Sequence, residues 1–411
     1  MTRHPSSVFP GGRVVPSQKQ TAPGLNGNIL LAYPGKASDG LAHIPPLHLR
    51  AGKVYGQSRF DGWTNKLILA ENLAALRALR DDRAVAGKIR LIYIDPPFST
   101  NQEFRKGLAR TATVSASSED RRAYEDYLVG AEYVEFLRQR LLLLKDLLAD
   151  DGSIYLHIDW KMGHYVKVLM DEIFGQDHFI NDIARIKCNP KNFERKAYGN
   201  IKDMILFYSK GDDTVWNESR EQMEEEDIVR LFPKVDDEGR RYTTTPLHAP
   251  GETRNGPTGQ PWKGLQPPVG RHWRNDPNEL TRLDALGLIE WSSTGNPRKR
   301  IYADEVMKSG KKRQDVWWFK DPAYPSYPTE KNRRMMETII QASSNPDDLV
   351  LDCFAGSGTT LLAAELHGRR WIGIDNSPLA VRAARRKLLD TKEVRAFTVI
   401  RARKTAPVGS K

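Results

Sequence analysis

An acid, two prolines and an aromatic ring follow an apolar run directly in LIYIDPPF, residues 91–98. The apolar residues predict a buried strand, which ends at Asp95 because proline cannot donate to a sheet ladder. Open α/β sheets bind ligands at the carboxyl edge of their strands. Asp95, Pro96, Pro97 and Phe98 are therefore a candidate site, with a hydrogen-bond-accepting carboxylate beside an aromatic face. Asp-Pro alone is more often an ordinary tight turn, so this interpretation needs support from elsewhere in the chain.

A second candidate site follows an apolar strand pattern in DCFAGSGTT, residues 352–360. Gly356 and Gly358 would let the backbone approach a ligand closely at the N-terminus of the next helix. Asp375 ends the following strand, 17 residues after Gly358, where an acidic residue accepts hydrogen bonds from two ribose hydroxyls. Dinucleotide-binding turns normally carry three glycines, and this turn has two. The pattern predicts a nucleoside pocket for a cofactor without phosphates, such as S-adenosylmethionine.

The segments around both candidate sites alternate between strand and helix patterns. This alternation predicts an α/β fold with a doubly wound, mostly parallel sheet. Strands are expected at 66–69, 89–95, 153–159, 349–353 and 371–374, a closing pair at 179–187 and 203–210, and an edge strand at 396–402. Helices are expected after residue 70 and at 133–152, 163–175, 332–344 and 359–367.

Composition shifts suggest five segments. Residues 1–55 are rich in Pro, Gly and Ser and predict a flexible basic arm, and residues 404–411 predict a basic tail. Residues 56–210 and 316–403 carry the two halves of the α/β domain. Between them, residues 211–315 lose regular periodicity and predict an inserted recognition region.

The charge distribution favours a nucleic-acid partner. The formal net charge is +11, and residues 240–320 hold 15 Lys and Arg against 8 Asp and Glu, whereas residues 210–239 hold 4 against 11. Six of the nine tryptophans lie between 216 and 318. Most of them are expected to form a small core, which leaves the arginines as the better DNA contacts. The predicted contacts are Arg254, Arg271, Arg274, Arg298 and Arg300.

Other features exclude several classes of protein. No apolar run is long enough to cross a bilayer, and the first twenty residues lack the apolar core of a secretory signal. Two cysteines, Cys188 and Cys353, cannot build a four-cysteine zinc site, and no metal site is predicted. Free cysteines suit a reducing compartment, so a soluble cytoplasmic protein is expected.

D-P-P-F upstream and D-x-F-x-G-S-G-T downstream resemble the catalytic and cofactor motifs of the DNA amino-methyltransferases. The order of the motifs, with the cofactor motif last, resembles the β class. NKLILAEN, LIYIDPPF, GSIYLHID, DEIFG and YPTEKN are particularly similar to modification subunits of type III restriction systems. The resemblance covers roughly residues 60–390 and implies a Rossmann-like methyltransferase fold in permuted order, with an inserted DNA-recognition region.

The resemblance also implies a reaction: DNA methylation at the N6 amine of an adenine flipped out of the duplex, with S-adenosylmethionine as methyl donor. Asp95 and the backbone carbonyl of Pro96 would accept the amine's hydrogen bonds, and Phe98 would stack on the base. Phe354, Gly356, Gly358 and Asp375 would hold the cofactor. Thr329 and Lys331 would contact its methionine end, and Glu71 would lie near its adenine. His157 and Asp159 are expected to be supporting rather than catalytic residues.

Three alternatives stay open. Cytosine-N4 transfer uses the same amine chemistry, although its enzymes usually carry Ser where Asp95 stands. Protein-glutamine or RNA methylation is disfavoured because those enzymes usually place the cofactor motif first. A non-catalytic DNA-specificity subunit of a restriction complex is disfavoured by the intact motifs. Beyond double-stranded DNA, the resemblance suggests a homodimer and a restriction nuclease or helicase as partners, and no membrane.

Three positions depart from the family pattern. Ser99, Thr100 and Asn101 follow the tetrapeptide, Cys353 stands where proline is frequent, and Asn332 replaces the proline that ends YPTEKN-type motifs. None of these changes removes a reacting group.

Overall fold

The computed structural model describes residues 29–37, 41, 47, 49–58, 62–97, 102–106, 121–126, 128, 130–190, 194, 196–323, 325 and 330–402. Phe98, Thr329 and the predicted tail at 404–411 lie outside these residues, as does most of the predicted arm.

Twenty strands are present in the described part of the chain. The first ten are β1 (Leu49–Tyr55), β2 (Asn65–Leu69), β3 (Ile89–Ile94), β4 (Gln102–Lys106), β5 (Arg121–Asp126), β6 (Leu148–Ile158), β7 (Phe179–Ile186), β8 (Lys202–Ser209), β9 (Arg220–Glu221) and β10 (Lys234–Val235). The others are β11 (Arg241–Pro246), β12 (His248–Pro250), β13 (Arg271–Trp273), β14 (Ile289–Trp291), β15 (Pro297–Tyr302), β16 (Lys311–Lys312), β17 (Val316–Trp317), β18 (Leu349–Asp352), β19 (Arg370–Asp375) and β20 (Phe397–Ala402).

Nine α-helices connect or flank these strands in the described residues. They are α1 (Asn72–Arg80), α2 (Gly130–Leu147), α3 (Gly163–Phe174), α4 (Glu225–Leu231), α5 (Pro277–Ala285), α6 (Ala303–Ser309), α7 (Arg333–Ser343), α8 (Thr359–Leu366) and α9 (Pro378–Leu389).

Ten strands form one large sheet in the order β1, β20, β2, β19, β18, β3, β6, β8, β7, β17. The six strands from β20 to β6 run parallel to one another. Alternate residues of these strands face opposite layers. Apolar side chains of α1, α2 and α3 pack on one face, and those of α7, α8 and α9 pack on the other. The predicted doubly wound, mostly parallel α/β fold is confirmed.

The sheet joins the two halves of the chain at its centre. β3 pairs in parallel with β18, so that Leu351 lies opposite Ile92 and Val350 opposite Leu91. Parallel strands end at the same edge, and the segments that follow β3 and β18 are therefore neighbours. This pairing brings the two candidate sites together.

Three sequence predictions need correction. Residues Leu49–Tyr55 were expected to belong to the flexible arm, but they form β1, which pairs with β20. β20 was expected at the sheet edge, and β1 covers it. The second helix ends at Leu147 rather than near Gly152, because β6 already begins at Leu148 and pairs with β3 there.

The inserted region has more regular structure than its sequence suggested. β10, β11, β15 and β14 form a four-stranded sheet, and β12 pairs with β13. A separate small core contains Leu247, Trp262, Trp273, Leu280, Leu283 and Ile289. Of the six tryptophans between 216 and 318, three are buried (Trp262, Trp273 and Trp317) and three are exposed (Trp216, Trp291 and Trp318). Only Trp262 and Trp273 lie in the small core, since Trp317 packs in the core of the main sheet. The expectation that most of the six tryptophans form a small core was therefore wrong.

Candidate active site

Asp95 stands at the carboxyl end of β3 with its two carboxylate oxygens in different environments. Oδ2 lies 2.7 Å from Nζ of Lys331, and the side chains of this ion pair are 17% and 11% exposed. Oδ1 is buried and has no hydrogen-bond partner among the described residues. A buried carboxylate oxygen without a donor is costly, which points to a donor supplied by a ligand. Pro96 and Pro97 follow Asp95 in non-helical backbone, as the sequence predicted.

A fully buried imidazole lies behind Asp95. Nδ1 of His157, on β6, is 3.8 Å from Oδ1 of Asp95 and 2.9 Å from the hydroxyl of Tyr93. Its Nε2 is 3.3 Å from Oδ2 of Asp203 on β8. Burial lowers the pKa of His157 below its ordinary value, and Asp203 and Asp95 offset this only in part. Asp159 lies in the same region, where its carboxylate accepts from the amides of residues 161 and 162.

Asp203 is the charged anchor of this imidazole. Burial opposes its ionisation, but a hydrogen bond from His157 and the charge of Lys187 hold the pKa of Asp203 well below its usual range. Nζ of Lys187 lies 2.7 Å from its Oδ1, and Nη1 of Arg185 lies 3.7 Å from its Oδ2. The result is a buried row of charged and polar groups that leads from Asp95 into the protein.

The glycine turn after β18 is shaped for a close ligand. Gly356 and Gly358 have φ angles of 49° and 76°, a region that favours glycine. A Cβ at Gly358 would lie 2.7 Å from the Cβ of Ala384, whereas a Cβ at Gly356 would meet only a carbonyl oxygen 3.9 Å away. Gly358 caps α8. The turn thus leaves open space in front of a helix N-terminus, and these residues fit an S-adenosylmethionine-type cofactor.

Asp375 ends β19 beside this turn. Its Oδ2 accepts from the amide of Gly356 at 2.8 Å, and its Oδ1 accepts from the amide of Ser377 at 2.8 Å. Burial raises the pKa of Asp375 to about 6, and hydrogen bonds from the amides of Ser377, Gly356 and Asn376 offset this only in part. Each carboxylate oxygen can still accept a second hydrogen bond, so ribose hydroxyls can be bound as well. Phe354, half-buried in the same turn, has its ring centroid 6.1 Å from that of Phe136.

The segment before α7 touches both halves of the site. Lys331 was predicted to contact the methionine end of the cofactor, and its ammonium lies 2.7 Å from Oδ2 of Asp95. Its neighbour Glu330 pairs with Lys387 of α9 at 2.5 Å. Nζ of Lys387 also donates to Ser357 and Thr359 Oγ atoms at 2.8 and 3.2 Å. Adjacent residues therefore connect the acid after β3 to the glycine turn after β18.

Glu71 lies at the carboxyl end of β2, beside Asp375. Its Oε2 accepts from the amide of Ala74 and caps α1, and its Oε1 lies 2.5 Å from Nη2 of Arg140. The amide of Ala70 donates to the carbonyl of Asp375, which places Glu71 next to the cofactor side of the site. Its side chain is 53% exposed and free to contact a ligand while it caps the helix.

The comparisons with known proteins agree with this geometry. The DNA methylase family model of N6 and N4 methyltransferases matches residues 89–386. The chain is 40% identical over 373 residues to type II methyltransferase M.EcaI of Enterobacter cloacae, an alignment that covers 89% of this chain and 78% of that protein. The chain belongs to the N6/N4 DNA methylase family.

Other known proteins are similar to this chain at lower identity. The EcoPI Mod subunit of a type III restriction-modification enzyme from Escherichia phage P1 is 26% identical over 388 residues, which cover 78% of this chain and 58% of that subunit. A solved structure of PvuII DNA methyltransferase (cytosine-N4-specific) aligns with a TM-score of 0.42 and 17% identity over 80% of this chain and 88% of that one, too distant a match to bear on function. The protein is thus an S-adenosylmethionine-dependent DNA methyltransferase.

The five predicted DNA contacts of this methyltransferase lie in different surroundings. Arg254 is exposed beside Glu252, and Arg300 lies 3.5 Å from Glu290 and over the ring of Tyr242. The other three form what we call the arginine cluster, which surrounds His248 and consists of Arg271, Arg274 and Arg298. Burial, followed by the charges of these three arginines, lowers the pKa of His248.

Within the arginine cluster, the hydrogen bonds differ. Arg298 is tied to Thr244, whose carbonyl and hydroxyl oxygens both accept from it at 2.8 Å. Arg274 donates to the carbonyl of Pro246 at 3.1 Å, and Arg271 lies 3.2 Å from Nδ1 of His248. No acid is paired with Arg271 or Arg274 among the described residues. These two arginines are the better placed for an anionic ligand.

Sequence reasoning missed three side chains of the active site around Asp95 and the glycine turn. Asp203, Lys187 and Lys387 gave no motif signal, because each acts through contacts between segments far apart in the chain. The one local signal that could have pointed to Asp203 is its position at the start of DMILFYSK, a mostly apolar strand pattern in which an acid is unusual. The described residues contain no cluster of His, Cys, Asp and Glu suited to a metal ion, and none of their helices is long and apolar enough to span a membrane.

Proposed function

We propose that this protein methylates the N6 amine of an adenine that is flipped out of double-stranded DNA. The main support for this proposal is that Oδ1 of Asp95 is a buried acceptor with no donor among the described residues. The adenine amine is a poor nucleophile because its lone pair is delocalised into the ring. A carboxylate that accepts its N–H bonds localises that pair and aims it.

In this proposal, Asp95 and the residues that follow it contact the target base in different ways. The carboxylate and the carbonyl of Pro96 accept from the amine, and two fixed proline φ angles hold both acceptors in place. Phe98 stacks on the flipped base, and stacking of roughly 1 to 3 kcal/mol offsets part of the cost of unstacking. Lys331 stabilises the negative charge of Asp95 and fixes its position through Oδ2.

The cofactor, when bound, supplies an electrophilic methyl group on a sulfonium. Phe354, Gly356 and Gly358 line its pocket, and Asp375 accepts from its ribose hydroxyls. In this proposal Glu71 contacts the adenine of the cofactor and Thr329 contacts its methionine end. For Lys331 we favour the role on Asp95 over the contact with the cofactor's methionine carboxylate that the family pattern suggests.

The choice of adenine over cytosine rests on Asp95, since cytosine-N4 enzymes usually carry Ser at this position. Methylation of an unmodified plasmid, followed by digestion and mass spectrometry of the nucleosides, tests it. The expected product is N6-methyladenine. N4-methylcytosine would refute the choice of base but keep the amine chemistry, and no methylated nucleoside alongside intact DNA binding would indicate a specificity subunit.

We further propose that the inserted region at 211–315 binds DNA, with Arg254, Arg271, Arg274, Arg298 and Arg300 as candidate contacts. One relative named above is the Mod subunit of a type III restriction-modification enzyme, so a restriction nuclease or helicase is the partner class we propose, and a homodimer is the proposed assembly. A cytoplasmic location is proposed from the two free cysteines, Cys188 and Cys353.

Co-purification from the native host tests for a nuclease or helicase partner. Light scattering of the purified protein tests for the homodimer. A monomer that binds neither nuclease nor helicase would identify a solitary enzyme.

A further inference from the structure

Arg140 is a buried arginine of α2 that lies on the cofactor side of the sheet edge. Its side chain is 7% exposed. Its guanidinium donates in three directions: Nη2 to Oε1 of Glu71 at 2.5 Å, Nε to Oδ1 of Asn72 at 2.6 Å, and Nη1 to the carbonyl of Phe136 at 2.7 Å. The guanidinium carbon also lies 3.5 Å from the centre of the Phe136 ring. Three hydrogen bonds and a ring contact thus hold the guanidinium in one position.

The contacts of Arg140 connect two strand ends. Glu71 is the second residue after β2, and Asn72 begins α1. Nδ2 of Asn72 donates to the carbonyl of Cys353, the residue after β18, at 3.0 Å. Cys353 leads directly into the glycine turn. One guanidinium therefore holds the acid after β2 and, through Asn72, reaches the start of the glycine turn.

Stability alone does not account for this arrangement. A buried guanidinium is costly to desolvate, and burial lowers the pKa of Arg140, an effect that Glu71 offsets only in part. The side chain of Glu71 is 53% exposed, and an ion pair with a solvent-exposed partner contributes little to folding. Oε2 of Glu71 caps α1 without the arginine. What Arg140 adds is a fixed position for an exposed carboxylate.

The order of the strand ends indicates which group this carboxylate meets. Along the sheet edge, β2 lies next to β19, followed by β18 and β3, and Leu69 at the end of β2 lies opposite Asp375. The methyl group must approach the amine held by Asp95 after β3, and the ribose is proposed to bind Asp375. The adenine of the cofactor then extends toward β2. A carboxylate at Glu71 can accept a hydrogen bond from the exocyclic amine of that adenine.

We propose that Arg140 is a positioning residue for the cofactor. It holds the carboxylate of Glu71 where it accepts from the exocyclic amine of the cofactor's adenine, and it thereby makes the site select adenine over a purine without that amine. Arg140 acts through Glu71 and does not itself touch the cofactor. The inference rests on the proposed contact of Glu71 with the cofactor, and it holds whether the methylated base in DNA is adenine or cytosine.

The test measures binding of two probes by titration calorimetry in the absence of DNA. The probes are S-adenosylhomocysteine and its analogue with hydrogen in place of the adenine amine. Wild-type protein is expected to bind S-adenosylhomocysteine about tenfold more tightly, because the analogue lacks the donor to a charged acceptor. Arg140→Met removes the guanidinium but keeps an unbranched side chain, and it is expected to reduce the preference to within about twofold, because Glu71 loses its fixed position.

Arg138→Met is the matched control. Arg138 lies on the same helix, its side chain is 6% exposed, and it pairs with Glu135 at 2.8 Å instead of with Glu71. Its variant is expected to keep the wild-type preference even where its melting temperature falls. Arg140→Lys keeps the charge but cannot reproduce the planar, three-way contact, so its preference is expected to lie between those of wild-type protein and Arg140→Met.

A further pair of variants tests whether Arg140 acts through Glu71. Glu71→Ser keeps a side chain that can cap α1 and withdraws the carboxylate. This change alone is expected to reduce the preference to within about twofold, because the charged acceptor is gone. Adding Arg140→Met to Glu71→Ser is then expected to change the preference no further, as for two residues that act as a unit.

An Arg140→Met variant that keeps the preference, or that loses affinity equally for both probes, would overturn the proposal. Wild-type protein that binds both probes with equal affinity would also overturn it, and that result needs no variant to fold. A Glu71→Ser variant that keeps the preference would show that Glu71 does not meet the adenine amine. Failure of the proposed DNA methylation is seen separately, in the nucleosides of the treated plasmid.

Discussion

Asp95 and Asp375 end two strands of one sheet, yet the protein holds them in opposite ways. Asp375 is fixed by the amides of Gly356 and Ser377, and burial raises its pKa to about 6. Asp95 has one oxygen on the Lys331 ammonium and the other without a donor among the described residues. The backbone amides hold the Asp375 carboxylate in one position, which suits an acceptor that binds the same ligand in every reaction cycle. In Asp95, Lys331 occupies one oxygen, which leaves the other oxygen for the amine that is methylated during the reaction.

The largest effect is expected at the reacting acid. Asp95→Ala should lower kcat by about 10³-fold or more, because a preorganised electrostatic contact to the amine is lost, while cofactor affinity stays within about threefold. Radiolabel transfer and titration calorimetry measure the two quantities. Lost cofactor affinity with residual turnover would reverse the roles assigned to Asp95 and Asp375.

A smaller effect is expected at the lysine. Lys331→Met should lower kcat by about 10²-fold, since the carboxylate of Asp95 loses the partner that fixes its position. Lys331→Arg, which keeps the charge, serves as the matched control and should retain more activity. If Lys331 instead binds the cofactor's methionine carboxylate, calorimetry will show weakened cofactor binding with kcat at saturation unchanged.

Asp375 should affect binding rather than turnover. Asp375→Asn is expected to weaken cofactor binding by about 10- to 100-fold, the range for hydrogen bonds to a charged group, with kcat at saturation nearly unchanged. In wild-type protein, affinity should fall as the pH drops through about 6, because the protonated carboxyl is the poorer acceptor. Calorimetry at pH 5 and pH 8 checks this: a wild type without pH dependence, or a variant that keeps it, would contradict the assignment.

The smallest single effect is expected in the inserted region. Arg271→Glu should weaken DNA binding by about tenfold and make the affinity less dependent on salt, as the loss of a phosphate contact requires. Arg282→Glu is the control, because Arg282 lies in the same region, is paired with Glu279 at 2.7 Å and is not among the candidate contacts. Equal effects of the two variants, or a flat salt response in wild-type protein, would remove the arginine cluster from the DNA interface.

The sequence predicted the features that depend on local pattern. The apolar run before Asp95 and the glycine turn before α8 each specify a strand and what ends it, and the alternation of strand and helix patterns around them predicted a doubly wound sheet. Two predicted boundaries of secondary-structure elements were wrong, each for a physical reason. Leu49–Tyr55 is mostly exposed and mixes apolar with charged residues without regular alternation, so nothing in its pattern shows that it pairs with β20. Leu148 continues the helical pattern of α2, and only its pairing with β3 makes it a strand.

The side chains of the site were predictable only where a motif carries them. The motif pattern led to Asp95, Gly356 and Asp375, and the structure places all three at one edge of the sheet. The contact of Lys331 with Asp95 and that of His157 with Asp203 join segments separated by many residues. Such contacts follow from the strand order β18, β3, β6, β8, which no single stretch of the chain encodes.

The most direct test is a structure of the enzyme with a cofactor analogue and its DNA target. The exocyclic nitrogen of the flipped base is expected within hydrogen-bond distance, about 3 Å, of Oδ1 of Asp95, while Asp375 contacts the ribose of the cofactor analogue. A base whose amine points away from Asp95, or a cofactor analogue bound away from the glycine turn, would contradict the assignment of the two aspartates.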